Sequence, residues 1–284
     1  MRFGSVHDPF GVTLAIALSA RLELAITRDG QRRTQSFAQG RPISPEQSVA
    51  CAEPPATSIT YRPDEDVFQN GCRFDWNILA TRLRDLSYLL PGLQLKLVEH
   101  RPDSAQPVTK TFHSSTGLPE FLGTRAGERD WVNGEVFGVE TEGSEQRFQL
   151  AMRWTRKPRE DTLLFVNLHP ARDGGTPVEG LHRAITPAIK KYGKIFGVLN
   201  DEPLTADDCR AGLTAIISVY VRQPQWLHAT KDHIHNSELC PLVQKAVSRL
   251  FPLYLESHPT DAIAIARRAL EAYRQRQARR KRGK

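Results

Sequence analysis

The sequence predicts an α+β fold, and three observations carry that expectation. Strand-like and helix-like stretches are mixed along the chain without the regular alternation of a doubly wound sheet. The run Ala215 to Val221 (AIISVYV) is dense in β-branched residues and reads as a strand. The chain then closes on two helical stretches, residues 241–257 and 260–282. Composition fits a folded globular protein, with 39% hydrophobic and 25% charged residues, and 284 residues leave room for one large domain or two ordinary ones.

Taken in order, Val12 to Leu18 is apolar and reads as a buried helix. Leu22, Leu24 and Ile26 then alternate with other residues as a strand. Arg28-Asp29-Gly30 carries an Asp-Gly turn signal, so a hairpin is expected with Thr34 to Phe37 as the return strand. Residues 38–56 are rich in Pro, Ser and Gln and read as a loop. Ser58 to Tyr61 is a short strand ended by Pro63-Asp64. From Trp76 to Leu90 the spacing of Ile78, Leu79, Leu83, Leu86 and Leu89 predicts a helix with one buried face, closed by Pro91-Gly92. Leu93, Leu95 and Leu97 alternate into another strand. Gly123, Gly127 and Gly134 mark a candidate domain boundary. Beyond it, Phe148 to Trp154 and Thr162 to Val166 read as strands and Val178 to Tyr192 as a helix. Thr260 is the expected N-cap of the last helix, with Asp261 as its first-turn acid. No internal repeat is visible.

The net charge of +7 is concentrated at one end. Nine basic residues between Arg267 and Lys284 face one acid, Glu271, so this tail carries +8 and residues 1–266 carry −1. A near-neutral body disfavours coating by nucleic acid. The tail, including Arg274, Arg276, Arg279, Arg280, Lys281 and Arg282, leaves room for a local anionic partner such as DNA. Its one aromatic residue, Tyr273, supplies no stacking platform for single strands. No apolar run reaches the length of a membrane span, and the N-terminus lacks a signal-peptide layout, so a cytoplasmic location is expected. Cys51, Cys72, Cys209 and Cys240 are scattered without CxxC spacing and read as reduced thiols.

Two local motifs remain open on residues alone. Asp173-Gly174-Gly175-Thr176 lies between a strand and a helix and fits either a plain turn with a threonine cap or a phosphate cradle. His228, His233 and His235 surround Lys231, but their spacing suits neither one helical face nor a tetrahedral metal set, so they read as a surface loop. No Ser/His/Asp or Cys/His arrangement and no Walker-type loop is present.

Longer strings carry a family resemblance. Phe165-Val-Asn-Leu-His-Pro-Ala-Arg-Asp-Gly-Gly-Thr176, followed by Gly180-Leu-His-Arg-Ala184, resembles the F-x-N-N-I-x-T-x-x-G-G-T-H-x-x-G-F-x-x-A segment of the B subunits of bacterial DNA gyrase and topoisomerase IV. Ala206-Asp-Asp-Cys-Arg-Ala-Gly-Leu-Thr-Ala-Ile-Ile-Ser-Val219 resembles G-E-D-x-R-E-G-L-x-A-V-I-S-V, and Pro224-Gln-Trp-Leu-His-Ala-Thr-Lys231 resembles P-x-F-x-x-Q-T-K. Tyr61 to Phe68, Arg82 to Gly92 and His258 to Ala262 match in the same order. The resemblance implies the C-terminal part of a gyrase/Hsp90/histidine-kinase/MutL-type ATPase domain (residues 1–127), a ribosomal-protein-S5-like transducer domain (128–266) and a basic helix end (267–284). It also implies ATP and Mg²⁺ as the family's cofactors, with weak or no binding of them expected in this chain, closure of a homodimer or pairing with an intact B subunit, and DNA topoisomerisation as the family's activity.

By the same resemblance, Lys231 and Thr230 stand where the transducer loop reaches the terminal phosphate, Gly11 ends the phosphate lid, Thr57 lies beside the adenine and Arg28 at the pocket mouth. Several positions depart from the pattern. His7-Asp8-Pro9-Phe10-Gly11 puts Pro9, which has no amide hydrogen, in the lid. Ala56 precedes Thr57, Ala229 replaces Gln in the Q-T-K loop, Pro177 replaces the His of G-G-T-H, and Pro187 falls inside a predicted helix. Met1 stands about ten residues before the lid, so the family's catalytic Glu, Mg-binding Asn, adenine-binding Asp and D-x-G-x-G do not occur in the sequence. The toprim module and the tyrosine-bearing A-subunit region do not occur either. The expectation is a topoisomerase B-subunit relative that does not hydrolyse ATP alone. The alternatives are a non-catalytic protein that pairs with an intact B subunit, the product of a decayed gene, and a nucleic-acid binder acting through the tail.

Overall fold

The computed structural model describes residues 11–69, 72–100, 107–125, 131–143 and 146–282. The chain divides into two compact units, Met1–Trp76 and Asn77–Lys284. The boundary expected at residue 127 falls within 126–130, outside the described residues.

In the first unit, α1 (Gly11–Ala17) leads into β1 (Ser19–Arg28), and β1 turns back into β2 (Gln31–Ala38) through the predicted hairpin. Asp29 and Gly30 take φ of 53° and 73°, the left-handed pair that a two-residue hairpin turn of this hand needs. Leu22 is fully buried in β1. The stretch read as a loop holds two short strands, β3 (Arg41–Pro42) and β4 (Gln47–Ala50), both on the β2 edge. Both are exposed along their length, so ladder hydrogen bonds form them and no apolar alternation announces them. β5 (Ala56–Pro63) pairs antiparallel with the other side of β1 and ends at the expected proline. The helix expected to be buried is present as α1, but none of its residues is buried. Gly11, Val12 and Ala15 instead line an open groove of about 510 Å³ with Leu18, Ile59, Tyr61 and Phe74.

The second unit is built on a five-stranded sheet. After α2 (Trp76–Leu89), which starts at the end of the first unit, come the hairpin β6 (Leu95–Glu99) and β7 (Val108–Phe112), the short α3 (Leu118–Gly123), and the antiparallel pair β8 (Phe137–Glu142) and β9 (Gln146–Trp154). β10 (Asp161–Val166) turns into the two-residue β11 (His169–Pro170). The chain then crosses through α4 (Thr176–Ile195) and α5 (Ala206–Arg210) to β12 (Leu213–Val221), which lies parallel to β10. α6 (Leu239–Ser257) and α7 (Pro259–Arg282) close the unit, and the strand order is β11-β10-β12-β9-β8. The sequence pattern predicts none of β7, β8, α3, α5 and β11.

β12 is covered on both faces, which is why its sequence is an unbroken apolar run. Leu213, Ala215, Ile217, Val219 and Val221 join the core beneath α4 and α6, and Ile216 points to the opposite face with Leu89, Leu118, Phe121 and Leu122. That second cluster ties α2 and α3 to the sheet, so compactness groups them with the second unit. Only Ser87 and Leu89 of α2 are buried, and Ile78 is 70% exposed, so the predicted buried face is confined to its last turns.

α4 runs through Pro187. Proline takes the helical donor from the Arg183 carbonyl but does not end the helix, whose flank is well buried. α7 starts at Pro259, one residue earlier than expected, so Thr260 lies inside the first turn and not at the cap. Asp261 has a larger task. Its carboxylate accepts hydrogen bonds from the Gly134 and Glu135 amides at 2.7 and 3.0 Å and from the Tyr254 hydroxyl at 2.7 Å. Burial works against its charge, but these donors outweigh it and hold its pKa below the ordinary carboxylate value.

Candidate functional site

Lys231 sits in the connection between β12 and α6. Its amide donates to the His228 carbonyl at 3.1 Å, and its φ of 58° closes a tight turn. Thr230 is exposed on that turn and Lys231 is half-buried. The base of the connection is bolted down by Ile234, which is fully buried and bridges both Gly175 and Trp226. Asn236 is also buried. Its amide nitrogen donates to the Gln223 carbonyl, and its oxygen accepts from the Gln225 amide at 2.6 Å.

The Gly-Gly motif belongs to this assembly. A Cβ on Gly175 would stand 2.2 Å from the Ile234 carbonyl oxygen, and φ is +139°, so a side chain is excluded there by contact and by conformation. The Thr176 amide donates to Ile234, the Asp173 amide to Asp232, and the Thr176 hydroxyl to the Asn236 carbonyl. Of the two readings open from the sequence, the turn is the one formed. Gly175 and not a threonine occupies the cap position of α4, Thr176 is its first residue, the Asp173 and Thr176 amides are turned to Asp232 and Ile234, and the Gly174 amide donates to the Ala171 carbonyl. His233 faces the same seam, with Nδ1 3.1 Å from the Asp173 carbonyl. Among the described residues, no group of three or more His, Cys, Asp or Glu side chains could hold a metal ion.

At the neighbouring end of β10, His169 packs edge-on against Trp226, with ring centroids 5.8 Å apart at 80°. Arg82 on α2 donates from Nη2 to the Leu168 carbonyl at 2.8 Å. Burial first, and then the positive charges of Arg82, Lys231 and Arg172, hold the His169 pKa below the ordinary imidazole value, with Asp232 opposing them. Three cationic side chains therefore act on one imidazole electrostatically. The sequence reading singled out Lys231, and held Arg82, His169 and Arg172 only as members of matching strings. No spacing rule connects these positions, which the fold alone brings together.

The remaining predicted contacts lie in the first unit. Gly11 opens α1 at the groove, and Thr57 is exposed on β5 opposite Ile26. Arg28 ends β1, exposed and 3.4 Å from Asp29. The lid residues His7 to Phe10 lie outside the described residues.

On α7 the predicted cations divide. Arg276 donates to both oxygens of the buried Asp208, at 3.0 and 2.7 Å, and its guanidinium lies 5.2 Å from the Tyr273 ring centre. Arg274, Arg279, Arg280 and Lys281 are exposed, and Arg282 is the last residue of the helix. Among the described residues, no helix is long and apolar enough to cross a membrane.

Comparison with known proteins agrees with this architecture. Residues 117–284, more than half of the chain, match the family model described as DNA gyrase B. The chain is 31% identical to the B subunit of DNA topoisomerase 4 from Caulobacter vibrioides, over 98% of its own length and 41% of that protein. It is 32% identical to the DNA gyrase B subunit of Eisenibacter elegans, again over 98% of the chain but 59% of the relative. It thus spans less than two thirds of the length of these relatives. Among solved structures, the 43K ATPase domain of Thermus thermophilus gyrase B matches with a TM-score of 0.76 at 28% identity, over 97% of this chain and 74% of that one. The topoisomerase IV ATP-binding domain of Francisella tularensis matches with a TM-score of 0.81 at 25% identity, over 97% and 75%. The motif order, the two-faced sheet and these matches converge, and the chain belongs to the DNA gyrase B family.

Proposed function

We propose that this chain is a phosphate-sensing and coupling segment of the B component of a type II topoisomerase, and that it does not hydrolyse ATP by itself. In this reading residues 1–127 are the back half of the ATPase domain, 128–266 the S5-like transducer, and 267–284 the basic end of the helix that leads toward DNA. The observation that carries it is Lys231, held at positive φ in a turn bolted to Gly175 and Asn236. A compact ammonium on a fixed turn reads the charge of a terminal phosphate. Thr230 shares the turn; Gly11, Thr57 and Arg28 of the first unit are nucleotide positions by the family resemblance alone. ATP, when bound, supplies the terminal phosphate charge that Lys231 and Thr230 would bind and orient. Positioning water for hydrolysis needs a general base, and none of the matched positions Gly11, Arg28, Thr57, Thr230 and Lys231 carries a carboxylate.

Binding of a non-hydrolysable ATP analogue and of ADP to the full chain tests this reading. Lys231→Ala should weaken the analogue about tenfold, the order of one charge-assisted contact, and leave ADP unchanged. Equal binding of the analogue by both proteins would remove Lys231 from the site. Mg²⁺-dependent phosphate release that disappears in Lys231→Ala would overturn the non-hydrolytic reading.

A second reading, pairing with an intact B subunit, is favoured by the first unit. β5 is an exposed edge strand carrying Ile59 and Tyr61 beside an apolar groove, the kind of edge that natural sheets cover. Protection of that unit from protease by an intact B subunit tests it, as argued below.

A further inference from the structure

We propose that Arg82, His169 and Arg172 form with Lys231 an oxyanion-binding basin in the second unit, which takes a polyphosphate group such as pyrophosphate or the terminal phosphates of a nucleotide. The proposal deepens the phosphate reading of Lys231 and rests on it for that residue alone. The other three residues carry it independently.

Arg82 is the centre of the argument. Its Nη2 is committed to the Leu168 carbonyl, whereas its Nη1 is shielded from solvent and has no hydrogen-bond partner among the described residues. A buried guanidinium N–H left unpaired costs free energy that a bound anion would recover. The half-burial of Arg82 lowers its pKa, and Asp85 is the acid that opposes this. The backbone around it is fixed. Asn167 and Leu168 hold φ of 49° and 69° in the turn between β10 and β11. Arg172 is exposed two residues after β11, and the next residue, Asp173, is hydrogen-bonded through its amide to Asp232, adjacent to Lys231. Arg82 is thus hydrogen-bonded next to His169, Arg172 lies three residues beyond it, and the Asp173–Asp232 bond brings the segment that carries Lys231 alongside. Asp232 is the acid facing His169, set against the positive charges of Arg82, Lys231 and Arg172. Such an excess of cations on a rigid frame selects an anion of two or more charges. Every group lies in the second unit, so the basin does not depend on the phosphate lid.

The test follows His169 in the full chain by its imidazole C–H resonance, identified with His169→Gln, during titration with sodium pyrophosphate at constant ionic strength. A bound anion offsets the neighbouring cations, so the His169 titration midpoint should move up. Arg172→Gln, at an exposed position, and Arg82→Gln should each weaken pyrophosphate about tenfold. Arg172→Gln keeps the test decisive if Arg82→Gln fails to fold. An upward shift matched by sodium chloride, the absence of any shift at millimolar pyrophosphate, or pyrophosphate affinity unchanged in Arg172→Gln would each overturn the basin. So would a response confined to duplex DNA, which would assign the cations to a nucleic-acid backbone instead. ATP-analogue binding that depends on Lys231, with no pyrophosphate response, would sink the basin and spare the proposed function. Pyrophosphate binding without any analogue binding would do the reverse.

Discussion

At the scale of single residues, Gly175 and Asp261 show how backbone contact sets identity. Gly175 lets the start of α4 touch the Ile234 carbonyl, and that contact fixes the base of the Lys231 turn. Gly175→Ala must either push the two backbones apart or leave φ of +139°. It should destabilise the protein by roughly 3 kcal/mol, combining backbone strain with overpacking. Urea unfolding should show the midpoint falling with an unchanged slope, and a midpoint within error of wild type would contradict the close-approach argument. The Gly-Gly pair is visible in the sequence, but its role is not, because the partner carbonyl lies far along the chain at Ile234 and only the fold presents it. Asp261 is legible as an acid in a first turn, and its bonds to the Gly134 and Glu135 amides are not.

At the scale of elements, α7 separates the roles of its cations. Its inward side spends Arg276 on Asp208, which also forms a reciprocal capping box with Thr205 at the start of α5. Its outward side leaves Arg274, Arg279, Arg280 and Lys281 in solvent. The run of charge is obvious in the sequence, but the division depends on which residues face α5. Burial opposes the Asp208 charge, yet Arg276 and Thr205 outweigh it, and its folded pKa lies below the ordinary value of 3.8. A depressed acid contributes stability that is complete above the unfolded value and is lost as pH falls through the folded one. Arg276→Gln should therefore lower thermal stability at neutral pH and narrow the gap to wild type below pH 3.8, with little effect on salt-sensitive DNA binding. Neutralising Arg274, Arg279, Arg280 and Lys281 together should do the opposite, weakening DNA binding and flattening its salt dependence while leaving the melting temperature nearly unchanged. Equal effects of the two variants on DNA retention would refute the division.

At the scale of the whole molecule, the two units differ in how their strands are held. In the second, the apolar runs of β9, β10 and β12 are covered by helices, and the sequence announces them. In the first, Leu22 is the one buried aliphatic or aromatic side chain among the described residues, while Ile26, Ile59, Tyr61 and Phe74 are all more than a third exposed. β3 and β4 escape prediction for the same reason: nothing buries them, so their sequence shows no apolar alternation. The family is legible because its motifs are contiguous strings, whereas the cation basin is hidden because its members are drawn from separate segments. A sheet with so little buried side chain opens locally at low cost, since ladder hydrogen bonds exposed to water contribute little net free energy. Limited proteolysis of the full chain should therefore cut first within residues 1–76 and leave a resistant product that begins near α2 and keeps the second unit. Pairing through the β5 edge would cover Ile59, Tyr61 and the groove, so adding an intact B subunit should slow those early cuts and leave later cuts in the second unit unaffected. Early cleavage that proceeds at the same rate with and without the added partner would rule out that edge as the pairing surface. First cuts within the β9–β12 sheet would overturn the ranking of the two units.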